Sequence, residues 1–189
     1  MIEVSLKSLD GQLTLILQAV WGRQFSVSPI SRDISTEQSY IEHQQIFLPK
    51  SFQAESLDHA KSYYLSAALH CAAHIIYSKP WDSKKLNNRQ MVLIGLFEDA
   101  RVEYLSQKHF KGVSKIFGSQ FLGFNQNDVV FNGIAYRLAY ALRDASFKSN
   151  NPLVDKASLA FHALTDAELH DSDAIYQLGL QIANDIGQL

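Results

Sequence analysis

The chain has 189 residues, about one domain's worth, and its 47% hydrophobic content suits a packed globular core. Lys+Arg 17 against Asp+Glu 19 gives a net charge of −2, which argues against a nucleic-acid binder and against a charged disordered tail. A single cysteine excludes an internal disulfide and a cysteine-rich zinc module.

The predicted elements follow in chain order. Residues 4–21 read as a helix, with Leu6, Leu9, Leu13, Leu17 and Val20 on one stripe and Gly11 as its weak point. The apolar run Leu13–Trp21 is too short to span a bilayer, and residues 1–12 have no signal-peptide core, so no membrane insertion and a cytoplasmic location are expected. Residues 24–50 read as extended. Phe25 and Val27 alternate with serines, and Tyr40–Leu48 is rich in β-formers and stops at Pro49, which predicts a small hairpin or edge strand. From Ser56, a helix N-cap, the pattern is helical to about Ser78, and Pro80 ends it. A polar loop precedes a second long helix over 89–108. A glycine-containing loop (Gly112, Gly118, Gly123) then leads to helices at about 127–146, 153–164 and 171–186. The fold class expected is mainly α (α+β), a single domain over 1–189 with a small antiparallel β element near the start.

Chemistry is concentrated on the two central helices. His70 and His74 stand at i and i+4, so their imidazoles lie about 40° apart around the axis and can converge on one ion. Their neighbours Ala67, Ala68, Ala72, Ala73 and Ile75 are small or apolar, which places the face in the interior or along a cavity. On the next helix Glu98 shares a stripe with Met91, Ile94, Val102 and Leu105. A carboxylate there must be paired, protonated or metal-bound, because an isolated buried charge is very costly. Arg101 can pair with Glu98 one turn on, and Asp99 can orient a histidine from behind. Two histidines and one carboxylate with an open position form a set suited to zinc or another divalent metal. The same residues also suit a hydrogen-bonded core network without metal.

Where a zinc peptidase carries its general base, directly after the first histidine, this chain has Cys71. A thiol in apolar surroundings stays protonated and is a poor base. Glu103 and Asp99 are the alternative bases for a hydrolase reading. His43, His59, His109, His162 and His170 lack ligand spacing and read as surface or capping residues. The aromatic residues from Tyr136 to Phe147 read as core. Lys79, Trp81, Lys84, Lys85 and Arg89 read as a solvated loop, or else as a protein contact.

Three runs resemble the N-terminal region of the NorD family of nitric oxide reductase activation proteins, related to the CbbO Rubisco activators. They are Ile46-Phe-Leu-Pro49, Tyr63-Tyr-Leu-Ser-Ala-Ala-Leu-His70-Cys-Ala-Ala-His74 and Leu96-Phe-Glu98-Asp-Ala-Arg-Val-Glu103. The resemblance covers roughly 40–118, and more weakly Asp173–Leu189. Its most specific part is the Glu-Asp-Ala-Arg-Val-Glu run after the two-histidine helix. After His109-Phe110 the family tends to Pro-Gly where this chain has Lys111-Gly112. The resemblance implies a degenerate, zincin-like helical domain, a pseudoenzyme whose structural or vestigial metal site is His70, His74 and Glu98, backed by Asp99 and Arg101. It further implies a non-enzymatic adaptor or activator that works with a MoxR-type AAA+ ATPase to mature or remodel a target enzyme such as nitric oxide reductase. Family members carry a C-terminal von Willebrand factor A domain, whose Asp-x-Ser-x-Ser motif does not occur in these 189 residues.

Overall fold

The computed structural model describes residues 1–30, 39–117 and 131–187. The chain is mainly α with a small β component. Eight α-helices and five short strands lie among the described residues. These residues form two compact units, one made of 1–30, 39–76 and 109–117, the other of 77–108 and 131–187.

The first unit opens with a strand where the leucine spacing predicts a helix. β1, Ile2–Ser5, pairs antiparallel with β5, Ser51–Ala54, with Val4 opposite Phe52. A 3₁₀ turn, Leu6–Ser8, then leads into α1, Asp10–Trp21. The predicted helix over 4–21 is therefore corrected at its first six residues. Leu6, Leu9, Leu13 and Leu17 are all buried as expected, but the turn rather than a continuous helix brings Leu6 inward. α1 ends at Gly22, whose φ of 65° is left-handed and whose N–H bonds Gln18 O.

The expected hairpin is present. β3, Tyr40–Glu42, pairs antiparallel with β4, Gln45–Leu48, through a two-residue turn in which His43 and Gln44 have φ of 47° and 64°. Two positive φ values in succession mark the type I′ geometry that matches strand twist. β2, Val27–Pro29, lies parallel to the other side of β4, giving the order β2-β4-β3. Ile46 and Leu48 of β4 reach the core formed by the α1 leucines and by Tyr64, Ala68, Leu69 and Ala72 of α2, Leu57–Tyr77. The predicted N-cap holds, since the His59 N–H donates to Ser56 Oγ at 3.1 Å. Tyr64 is fully buried and its hydroxyl donates to Val4 O and Pro49 O, so burial leaves no orphaned polar group there. α4, Val113–Phe117, closes this core with Val113 and Phe117.

The second unit is helical. α3, Asn88–His109, packs Leu93, Phe97 and Ala100 with Leu138 and Leu142 of α5, Phe131–Arg143. α6, Pro152–His162, adds Val154 and Phe161, and α8, Ser172–Gly187, adds Ile175 and Ile182. Asn151 caps α6 ahead of Pro152 by accepting from Leu153 N and Val154 N, the arrangement in which proline's missing donor costs nothing. A short α7, Asp166–His170, precedes α8 and is opened by a reciprocal capping box between Thr165 and Glu168. The helix predicted at about 127–146 is α5. Residues 127–130 lie outside the described residues, as do the loop positions Gly118 and Gly123. Tyr136 and Tyr140 depart from the expected core role. They are 55% and 39% exposed, and the inward face of α5 is Leu138, Ala141 and Leu142. Aromatic spacing alone does not distinguish the two faces of a helix.

Candidate metal centre

His70 and His74 lie in the last third of α2, half-buried, with Ala72 and Ala73 fully buried between them. Their rings meet edge to face, with centroids 4.7 Å apart, and Phe117 presents its own edge-to-face contact to His70 at 6.1 Å. The two Nε2 atoms are 3.1 Å apart. Two nitrogens each bound at 2.0–2.1 Å to one tetrahedral ion would be separated by about 3.3–3.4 Å. The pair therefore stands close to chelating geometry. At 3.1 Å it also makes a hydrogen bond between neutral imidazoles, one donating and one accepting. Both histidines are half-buried. This pair could hold a metal ion.

The apolar stripe singles out Glu98 as a buried carboxylate. Glu98 is buried as predicted, and its oxygens have other partners. Arg101 Nη2 donates to Oε1 at 2.6 Å, Arg101 Nε donates to Oε2 at 2.8 Å, and Ser78 Oγ donates to Oε1 at 2.5 Å. Arg101 is 1% exposed and also donates to Tyr77 O and Leu169 O. The predicted Glu98–Arg101 pair is present, and it is bidentate, the geometry in which a buried ion pair best offsets its desolvation. Only about 100° of helix rotation separates neighbouring residues, so periodicity indicates the direction of burial without naming the partner.

Glu103, weighed as a substitute base, is 2% exposed and ion-paired with Arg143. Burial pulls the Arg143 guanidinium below its ordinary range, and the charges of Glu103 and Asp99 oppose that shift. Arg143 therefore sits in the field of both carboxylates. Sequence reading missed it because it lies on α5, forty positions beyond Glu103. Cys71 is buried beside His70 and is not a member of the metal-compatible group. The histidines without ligand spacing behave as expected at two positions. His162 Nε2 bonds Ala141 O at 2.9 Å and His170 Nδ1 bonds Asp166 O at 2.7 Å. Trp81, in the basic loop, stands against Tyr176 with ring centroids 5.8 Å apart.

Among the described residues no helix is long and apolar enough to cross a membrane. Comparison with protein-family models, curated proteins and solved structures finds no match for this chain.

Proposed function

We propose that this protein is a divalent-metal-binding helical domain without catalytic activity, with His70 and His74 as the ligands. The observation that carries this reading is the 3.1 Å separation of the two Nε2 atoms on consecutive turns of one helix. Two imidazoles suit zinc first, with iron(II) or another first-row ion as competitor. In the biological setting implied by the NorD resemblance, the domain is a cytoplasmic adaptor. It engages a MoxR-type AAA+ ATPase and presents a target enzyme, such as nitric oxide reductase, for maturation. Support for a non-catalytic role comes from Cys71 at the position of a zincin's base and from Glu103 being held by Arg143. Proton transfer to a leaving amine needs a group free to take and return a proton.

The same hydrogen-bonded imidazole pair favours a second reading, a metal-free network that only stabilises α2. Metal analysis after dialysis decides between them. The metal-binding reading expects about one equivalent of zinc per chain, lost in a His70→Asn/His74→Asn variant. A stoichiometry near zero at saturating zinc favours the network. Activity is tested by incubating zinc-loaded protein with unfolded casein beside Cys71→Glu. Chelator-sensitive cleavage by the unmodified chain would replace the adaptor with a hydrolase. The adaptor role is tested by stimulation of the ATPase's hydrolysis rate on adding the purified chain, and no change at saturating concentration sinks it.

A further inference from the structure

A pocket of about 270 Å³ lies wholly in the first unit, away from any residue assigned above, lined by Leu6, Val27 and Pro29 with Lys7, Lys50 and Asp10 among the remaining residues. That is near the small end for a ligand pocket and is of a size for one large apolar side chain. Its polar members have an uneven charge balance. Lys7 and Lys50 are exposed, and neither is in an ion pair among the described residues. Asp10 lies in the first turn of α1, where the partial positive charge of the helix start offsets its negative charge. The charge left for a ligand at the mouth is cationic.

The third feature is a strand edge. Among the described residues β2 is the outer strand of its sheet. Ile46 N–H bonds Ser26 O at 2.9 Å and Ile30 N–H bonds Leu48 O at 2.8 Å, so residues 26, 28 and 30 turn their backbone groups toward β4. By strand alternation, the N–H and C=O of Val27 and the C=O of Pro29 point outward, on the edge of the strand that lines the pocket. Pro29 has no N–H, which limits pairing to a short segment and blunts the edge against another long strand.

We propose that this groove docks an acidic partner peptide in extended conformation. One apolar side chain fills the pocket beside Leu6, Val27 and Pro29. Flanking carboxylates meet Lys7 and Lys50, and the peptide backbone pairs with the outward groups of Val27. Charge complementarity selects the acid, the apolar lining selects the anchor, and the free backbone groups select a peptide over a lipid or a small organic acid. The inference does not rest on metal binding.

The test titrates the full chain with a fluorescein-labelled peptide of one leucine flanked by two aspartates on each side, read by anisotropy at low and high salt. Saturable binding that weakens with salt is expected, with a loss of at least about tenfold in Lys7→Glu/Lys50→Glu and a smaller loss in Lys7→Gln/Lys50→Gln. Both variants alter exposed side chains, and circular dichroism verifies their folding. Hydrogen exchange at the Val27 amide is expected to slow on saturation. Absence of binding at millimolar peptide, equal binding by the charge-reversed variant, or unchanged Val27 exchange each overturns the proposal. So does octanoate saturating the site with the same lysine dependence while the peptide fails, which would assign the pocket to a small carboxylate.

Discussion

Arg101 donates two hydrogen bonds to Glu98 while both are almost fully removed from water, so each charge offsets the desolvation of the other. Replacing Arg101 with Met removes two of the hydrogen bonds to Glu98 and the bonds Arg101 donates to Tyr77 O and Leu169 O. A destabilisation of about 3–5 kcal/mol is expected in urea unfolding. Glu98→Leu in the same chain removes the stranded carboxylate and should recover part of that loss, though not the share due to the bonds lost at the two carbonyls. A double variant no more stable than Arg101→Met would show the two side chains to be uncoupled. At the other end of the burial range, Thr165 holds the exposed Glu168 carboxyl below its ordinary range by hydrogen bonds from its hydroxyl and its backbone N–H. A depressed carboxyl adds stability that is complete above its unfolded pKa and is lost as pH falls through the folded one. Thr165→Ala removes the hydroxyl's bond, so the Glu168 carboxyl resonance should titrate at higher pH in the variant. An unshifted titration would mean that the capping box does not persist in solution. These residues also mark what is legible locally. The Glu98–Arg101 pair follows from an i, i+3 spacing inside an apolar stripe. The Glu103–Arg143 pair does not, because it depends on a residue from another helix.

Among the elements, α8 and α3 meet at a glycine. A Cβ on Gly179 would stand 2.9 Å from the backbone Cα of Ile94, closer than real side chains approach, and backbone cannot move aside as a flexible side chain would. Gly179→Ala should therefore cost about 1–3 kcal/mol of overpacking, against at most about 1 kcal/mol regained from helix propensity. Gly95, also in α3, has nothing within 4 Å of its virtual Cβ, so Gly95→Ala should be stabilising by up to about 1 kcal/mol. Thermal melts of the two variants should move in opposite directions, and parallel shifts would remove the close α8–α3 contact from the fold. The β3–β4 turn offers a converse case. His43 and Gln44 adopt left-handed φ without being residues that favour it, so Asn-Gly at these positions should raise stability by a few tenths to about 1 kcal/mol. Sequence periodicity finds elements whose cause is local. α2 has its Ser56 cap and α3 its long amphipathic run, and both appear within a residue or two of the predicted bounds. It misses β1, because Ile2–Ser5 becomes a strand only through a partner some fifty residues on, and the leucine spacing that follows fits a helix equally well.

For the whole molecule, length and composition indicate one domain, while the described residues form two compact units that the chain visits alternately. No Pro- or Gly-rich linker accompanies the passage at residues 76 and 77, which lies inside α2, so a linear scan has no composition change to detect. The histidine pair, by contrast, is legible because one helix supplies both ligands. A ligand that binds the folded chain alone stabilises it by mass action, by about 2.7 kcal/mol at a free concentration one hundred times its dissociation constant. For a chain of this size that corresponds to a rise in Tm of about 5–10 °C. Zinc should produce this rise, and a chelator should reverse it. The rise should vanish in His70→Asn/His74→Asn. This variant must melt near the parent in the absence of metal for the comparison to isolate ligation, which is expected because both side chains are only half-buried. An equal zinc shift in the histidine variant would place the ion elsewhere on the chain.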